Sequence, residues 1–420
     1  MSSIHPFIAV RPQSNHAAEV SCPPYDVMST QEARDQASRT SESFVKVIRA
    51  EVDFPDTADP HSSEVYAQAH KNLERMIQNG TFQVDAEPGL LAYRLVFQGR
   101  RQVGLVCTVD AAEYRENRIR KHEKTRPDKE DDRTRHLMAV SSHAEPVLLS
   151  WRDELHAPEI VDALNTAMAE RPLSHFVTDD VTHTLWKIKN PEEYVELFKS
   201  VPELYIADGH HRSAAGERVS KQCESGNPDH TGDEEYNRIL AVIFPESQLT
   251  ILPYNRVVRD LNGHSGENFL EALRKVGNLE PLNGRPHTPE KRGTLNIYLA
   301  GEWHQLTFND GDINHDDPIE SLDVALLQDR ILSPILNIGD PRTDQRIGFV
   351  GGIRGHEELE HKVVSGEWSV AFSMHETSME ELLRVADANE IMPPKSTWFE
   401  PKLRSGLFLH RFDIPESVKQ

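Results

Sequence analysis

The chain has 420 residues, 37% of them hydrophobic, which is enough for an enzyme of two or three domains. Its 46 basic and 68 acidic residues give a net charge of -22, which argues against nonspecific binding to nucleic acid or an anionic membrane. The chain shows no apolar signal segment and no run of membrane-spanning length, and its three cysteines have no CxxC spacing. These features predict a reduced, cytoplasmic protein.

In chain order, helical and strand periodicities alternate, which predicts a mixed α and β protein. Ser29 and Glu32 have capping-box spacing for a helix, and a later apolar helical stripe ends at Asn79 and Gly80. Two strands, 90–97 and 102–110, are predicted to join at Gln98 and Gly99. Further strands are predicted at 146–150, 239–244 and 248–253.

Turn residues crowd the segment 278–293 and predict a domain boundary there. We therefore expect a core over 1–280 and a C-terminal α+β domain over 281–420. The second of these carries predicted hairpin strands near 294–308, an apolar helix near 321–333 and a strand at 368–373.

The stretch YIADGHHRSAAG places a polar cluster, Asp208 to Arg212, between a predicted strand at 204–207 and a predicted helix at 213–221. A strand-to-helix turn offers unpaired N–H groups and the positive end of a helix dipole, which suits a phosphate. Arg212 adds a planar fork for phosphate oxygens. A buried Asp208 that caps the turn beside a solvated Arg212 is the structural alternative, and the pattern favours phosphate contact.

The most charged segment, 115–136, is by default a solvated surface helix. Pro127 interrupts a simple helix, so a loop there can point His122, Glu123 and Thr125 inward. Together with Asp132 and Arg133 they supply the carboxylate, hydroxyl and arginine that phosphoryl transfer uses near the acceptor. Spacing alone favours neither interpretation.

A hydrolytic metal site is an alternative for the same residues. The adjacent His210 and His211 would bind an ion, and Asp208, His122 and Glu123 would complete the ligands. Adjacent histidines usually point apart, and the HExxH spacing is missing, so the pattern favours this site less.

Two further motifs carry candidate contacts. The segment MPPKSTWFEPKLRSGL at 392–407 is either a rigid docking tail or a second anion contact, made by Lys395, Ser396 and Thr397. Asp26, after a double proline, either binds Mg²⁺ or ends a turn, and its composition favours the turn.

Several motifs in one order resemble a bacterial and archaeal family of unknown function, numbered one thousand and fifteen, over nearly the full length of the chain. The matching motifs are PPYDV at 23–27, HEKT at 122–125, DDR at 131–133, YIADGHHR at 205–212, PYNRVV at 253–258 and the segment at 392–407. More distantly, the DGHHR turn resembles the phosphate-gripping turn of the ParB and sulfiredoxin-like fold, which includes kinases acting on free serine.

That resemblance implies an α+β fold with a ParB/sulfiredoxin-like phosphate-binding core and a C-terminal α+β extension. It implies a kinase that uses Mg²⁺ and transfers a phosphoryl group from ATP, ADP or pyrophosphate to a small metabolite, with free L-serine as the expected acceptor. Pyrophosphate stays open as a donor because the sequence shows no evident adenine pocket. The rivals are a metal-dependent phosphohydrolase and a nucleotide-binding module without turnover, and a homo-oligomer is compatible with the sequence.

The expected site residues fall into four groups. The catalytic candidates are Glu123 as the base, His122, Asp132 and Asp208, with Asp208 also near the metal. The expected phosphate or nucleotide contacts are Gly209, His210, His211, Arg212, Arg133, Lys395, Ser396 and Thr397. Asp26 and Thr125 are the expected substrate contacts.

Overall fold

The computed structural model describes residues 2–282 and 286–418. It divides into two compact units. The first unit comprises Met1–Leu249 and Pro401–Gln420, and the second comprises Thr250–Glu400.

The strands are distributed over both units. In chain order they are β1 (Ile4–His5), β2 (Ala9–Pro12), β3 (Phe82–Val84), β4 (Leu91–Phe97), β5 (Arg100–Asp110), β6 (Ile119–Arg120), β7 (Ser142–His143), β8 (Val147–Trp151), β9 (Ser174–Thr178), β10 (Val181–Lys187), β11 (Leu204–Asp208), β12 (Arg238–Pro245), β13 (Ile251–Leu252), β14 (Tyr254–Val258), β15 (Gly277–Pro281), β16 (Thr294–Leu299), β17 (Glu302–Phe308), β18 (Ile347–Gly351), β19 (Val370–Met374), β20 (Trp398–Phe399) and β21 (Leu409–Arg411).

The helices are mostly short. In chain order they are α1 (Ala17–Val20), α2 (Thr30–Arg39), α3 (Val45–Ile48), α4 (Ser63–Gln78), α5 (Ala111–Arg115), α6 (Pro127–Val140), α7 (Glu159–Ala167), α8 (Pro191–Phe198), α9 (His210–Gly226), α10 (Gly266–Leu273), α11 (Asp323–Leu327), α12 (Gly355–Val364) and α13 (Met379–Asp387). Among the described residues, no helix combines the length and the apolar character needed to cross a bilayer.

The main sheet of the first unit has the strand order β6-β11-β8-β12-β5-β4-β10-β9, and β1 also pairs with β5. Its pairs β6–β11 and β8–β12 run parallel, whereas the β11–β8, β12–β5 and β4–β5 pairs run antiparallel. The central strands β8 and β12 are buried almost throughout, as expected for strands with apolar side chains on both faces. Leu149, Trp151 and Ile243 contribute to the core on one face.

Local sequence signals predict several of these elements correctly. Ser29 and Glu32 form the capping box at the start of α2. The hairpin β4–β5 turns at Gln98 and Gly99, which both have positive φ, as a tight two-residue hairpin turn requires. The prediction of a mixed α+β protein is confirmed.

The C-terminal segment returns to the first unit because β21 pairs with β2 and β7 in a second sheet, of order β3-β2-β21-β7. The division of the chain therefore differs from the boundary predicted at 280/281, which falls inside the second unit. Residues 278–281 of the predicted turn segment belong to β15, and residues 283–285 lie outside the described residues. The strands on either side of the segment, β15 and β16, belong to one antiparallel sheet of order β15-β17-β16-β19-β14-β18, and both lie in the second unit.

Candidate functional site

The parallel pair β6–β11 determines which segments meet at one edge of the main sheet. Leu204 lies opposite Ile119, and the two strands run in the same direction. Their carboxyl ends therefore reach the same edge, where His122 and Glu123 follow β6 and where His210 begins α9 after β11. The ring centres of His122 and His210 are 4.4 Å apart, and the two rings are nearly perpendicular. His210 Nδ1 is 3.8 Å from Glu123 Oε2.

The turn between β11 and α9 is tighter than the sequence predicts, because α9 begins at His210 and the expected helix begins at Ser213. Gly209 precedes it in the left-handed region, with φ of 95°, and no side chain caps the helix. The N–H groups of the first turn have no acceptor within the helix, and they lie at the positive end of the helix dipole. This end of α9 thus has the features of an anion site.

Gly209 cannot carry a side chain without disturbing the turn. A Cβ built there would lie 3.0 Å from Arg212 Nε and 3.1 Å from its Cζ, closer than ordinary contacts. The left-handed φ adds strain for any residue with a Cβ. Glycine is therefore required for two separate reasons.

Arg212 is buried, and its guanidinium is used within the protein. Nη2 donates to Asp208 Oδ2 at 2.8 Å, and Nη1 donates to the carbonyl of Pro146. Lys402 Nζ lies 3.7 Å from the other oxygen of Asp208. Arg212 therefore braces the turn and supplies positive charge, and its fork is not turned outward to grip phosphate as the sequence suggests.

Asp208 is the expected metal ligand, but both of its oxygens face cations. Burial alone would raise the pKa of this carboxyl, and the charges of Lys402 and Arg212 outweigh it and lower the pKa to about 2. Asp208 is accordingly a carboxylate at neutral pH, and it holds Arg212 and Lys402 beside the turn. Lys402 is not among the site residues expected from the sequence, although its place in the basic motif 392–407 is a signal for it.

His211 holds the loop that carries Glu123. Its Nε2 accepts a hydrogen bond from the backbone N–H of Arg126 at 3.1 Å. Thr125, in the same loop, donates its hydroxyl to Glu130 on α6. Asp26 is exposed, and its charge acts on His211. These contacts bring the loop 123–126 against the start of α9.

Glu145 is a buried carboxylate that the sequence analysis did not find. It accepts hydrogen bonds from the backbone N–H of Tyr25 at 3.0 Å and from the hydroxyl of Ser405 at 3.1 Å. Burial raises its pKa, and the nearby Arg212 and Arg133 act in the opposite direction. Glu145 thus lies between two buried arginines, and no local motif marks its position before Pro146.

Asp132 and Arg133, expected as a catalytic carboxylate and a phosphate contact, form a buried network on α6. Asp132 accepts hydrogen bonds from Tyr66 at 2.7 Å and from Arg133 at 2.7 Å, and it pairs with His61 at 2.9 Å. Burial opposes its ionisation, but Arg133 and Tyr66 outweigh this and lower the carboxyl pKa to about 2. Arg133 also stacks 4.0 Å above the Tyr25 ring. These contacts give Asp132 a role in stability.

Asp132→Asn should therefore destabilise the protein at neutral pH by about 2 kcal/mol. Because the folded-state pKa is lowered, the stabilisation by Asp132 is present above its ordinary value of 3.8 and is lost as the pH falls through about 2. The difference in the free energy of unfolding between wild type and Asp132→Asn should thus shrink as the pH falls from 3.8 to about 2. Urea unfolding of the full chain at several pH values measures it.

Asp131→Asn provides the matched control, because Asp131 is an exposed neighbour on α6 that pairs with Arg218 at 2.6 Å. Loss of this exposed ion pair should lower the free energy of unfolding by less than about 1 kcal/mol. Equal effects of the two substitutions would contradict the structural role of Asp132.

Lys395, Ser396 and Thr397 belong to the second unit. Lys395 has positive φ, its Nζ lies 5.6 Å from the centre of the Tyr254 ring, and its carbonyl accepts a hydrogen bond from Arg256. Ser396 donates to the carbonyl of Pro393 at 2.6 Å. Their contact with a phosphate stays a prediction.

The chain is a mixed α+β protein in which an uncapped strand-to-helix turn, β11 to α9, lies at one edge of the main sheet. Glu123, Lys402 and Arg212 place their charges at this turn. The chain belongs to the family described as protein of unknown function (DUF1015), whose model matches residues 4–325. This confirms the family predicted from the motifs. Curated proteins provide no significant match.

Several solved structures are similar to this chain at low identity. A free serine kinase in complex with AMP matches with 13% identity and a TM-score of 0.34, covering 72% of this chain and 92% of that one. A conserved hypothetical protein from Pyrococcus furiosus matches with 13% identity and a TM-score of 0.35, covering 72% and 95%. SbnI with a C-terminal truncation, from Staphylococcus aureus, matches with 11% identity and a TM-score of 0.37, covering 75% and 89%. These TM-scores are too low to carry an argument about function.

Proposed function

We propose that this protein is a small-molecule kinase with a ParB/sulfiredoxin-like core, which transfers a phosphoryl group from ATP, ADP or pyrophosphate to free L-serine. The observation that carries the proposal is the uncapped first turn of α9, with Arg212 and Lys402 beside it and the Glu123 carboxylate across from it. Serine as acceptor rests on the resemblance of the DGHHR turn to that of free serine kinases.

The donor phosphate would bind the N–H groups of His210, His211 and Arg212 at the start of α9. Arg212 and Lys402, both paired with Asp208, place two cations beside these N–H groups. In a protein of net charge -22, such locally placed cations would help to attract an anionic donor. These preorganised donors would also stabilise charge on the transferring group.

Glu123 is our proposed base. Its side chain is 42% exposed and lies beside the start of α9, so it is open to an incoming acceptor. The acceptor oxygen attacks the terminal phosphorus of the donor, the bond to the leaving phosphate breaks, and the hydroxyl proton passes to Glu123. Asp26 and Thr125 are the proposed acceptor contacts, since Asp26 is exposed near His211 and Thr125 lies in the loop of Glu123.

Mg²⁺ is the metal that we expect to accompany the donor phosphates. Asp208 does not fit a direct Mg²⁺ ligand, because Arg212 and Lys402 face its two oxygens. The roles above therefore use the protein's own groups alone. We place the activity in the cytoplasm, acting on small molecules without a nucleic-acid partner.

A metal-dependent phosphohydrolase is the second candidate function. The observation that favours it is the close approach of His122, Glu123 and His210, whose ligand atoms all lie within 4.8 Å of one another. An ion held there would activate water for attack on phosphorus, and serine would not be needed.

Phosphorus NMR of the products tests the proposal. Purified full-length protein is incubated with Mg²⁺ and each donor in turn, with and without L-serine. Phosphoserine that forms only when serine is present supports the kinase. Free phosphate released at the same rate without serine supports the hydrolase, and no product with any donor supports a binding module without turnover.

A further inference from the structure

The three residues His122, Glu123 and His210, which we call the His–Glu–His cluster, are brought together by the β6–β11 pair. His122 is 2% exposed and His210 is 5% exposed, so both rings are removed from water. Glu123 is partly exposed and leaves one side of the cluster open. Two imidazoles and a carboxylate, open on one side, match the composition of catalytic zinc sites.

The buried rings have unused hydrogen-bonding capacity. Among the described residues, neither nitrogen of His122 nor Nε2 of His210 has a hydrogen-bond partner of ordinary geometry. Leaving a buried polar group without a partner is unfavourable, so such groups in a native protein call for a reason. A bound cation would use the lone pairs of these nitrogens.

Charged groups of mixed sign lie near His210. Lys121 and Arg212 add positive charge, and the carboxylate of Asp208 offsets it.

We propose that, in the absence of donor and acceptor, the His–Glu–His cluster binds a divalent transition-metal ion of the zinc class, through one nitrogen of each histidine and one oxygen of Glu123. Imidazole ligands favour such ions over Mg²⁺, which prefers oxygen. With bonds of about 2.1 Å, a tetrahedral ion holds its ligands about 3.4 Å apart, so the ligand atoms would draw inward on binding. Glu123 is the partly exposed member of the cluster.

Zinc titration of the full-length protein tests the site. After removal of metal with a chelator and dialysis, calorimetric titration with Zn²⁺ should give one site per chain. His210→Gln and Glu123→Gln should each weaken Zn²⁺ binding by roughly 10–100-fold or more. Glu123→Gln keeps the test valid if the buried His210→Gln variant fails to fold, because Glu123 is the partly exposed member of the cluster.

His230→Gln is the matched control. His230 lies outside the cluster, and its Nδ1 is 2.8 Å from the Tyr236 hydroxyl. The Zn²⁺ affinity of this variant should stay within a factor of a few of wild type. The proposal is overturned if wild type binds no stoichiometric Zn²⁺, or if the affinity is unchanged in both His210→Gln and Glu123→Gln. Since binding is measured without donor or serine, this outcome is independent of whether the protein is a kinase.

Discussion

Glu123→Gln should lower turnover with serine by about 10²–10⁴-fold while donor binding stays close to that of wild type. The amide keeps the size of the side chain but cannot accept the hydroxyl proton. The loop position should persist, because the Arg126 N–H donates to His211 and Thr125 donates to Glu130. Steady-state kinetics with saturating donor measure the effect.

Glu116→Gln is the control for that experiment. Glu116 is 57% exposed and forms an ion pair with Arg118 at 2.8 Å, so the same substitution removes a carboxylate from a surface pair. We expect its turnover to stay within a factor of a few of wild type. Wild-type turnover in Glu123→Gln would show that Glu123 is not the base.

Gly209→Ala should weaken donor binding at least ~10-fold, equivalent to a loss of about 1.4 kcal/mol of binding free energy. The new Cβ would press on the Arg212 guanidinium at 3.0–3.1 Å and move it from its contacts with Asp208 and Pro146. The first-turn N–H groups would shift with it. Donor affinity from calorimetry, with thermal unfolding recorded in parallel, measures this effect.

Gly232→Ala separates backbone strain from displacement of the turn. Gly232 has φ of 96°, almost the same as Gly209, but a Cβ there would meet no atom within 4 Å. Both variants should lose about 1–2 kcal/mol of stability from the left-handed φ. Only Gly209→Ala should lose donor affinity, and equal donor affinities in the two variants would contradict a phosphate site at α9.

Local chemistry explains which elements the sequence predicts well. The helix α2 is predicted from the capping pair Ser29 and Glu32, and the β4–β5 hairpin from Gln98 and Gly99 between two apolar runs. Each of these signals depends on residues that are close in the chain. The start of α9 is missed because its first turn consists of His210, His211 and Arg212, with no capping side chain to mark it.

Long-range pairing explains what the sequence does not predict. The meeting of Glu123 with His210 depends on strand β6 lying beside β11, which no local pattern specifies. The motif 392–407 is divided at Glu400 and Pro401, because β20 pairs with β13 whereas β21 pairs with β2 and β7. Lys402 therefore reaches Asp208. Lys395, which looks equivalent in the sequence, lies in the other unit.

We propose that the first turn of α9 holds the donor phosphate opposite Glu123. Crystal structures of the protein with pyrophosphate and with ADP would test this binding mode. We predict phosphate oxygens within about 3 Å of the N–H groups of His210 to Arg212, with Lys402 nearby and Glu123 facing the open side. Phosphates bound at another part of the chain, with this turn left to solvent in both complexes, would contradict the claim.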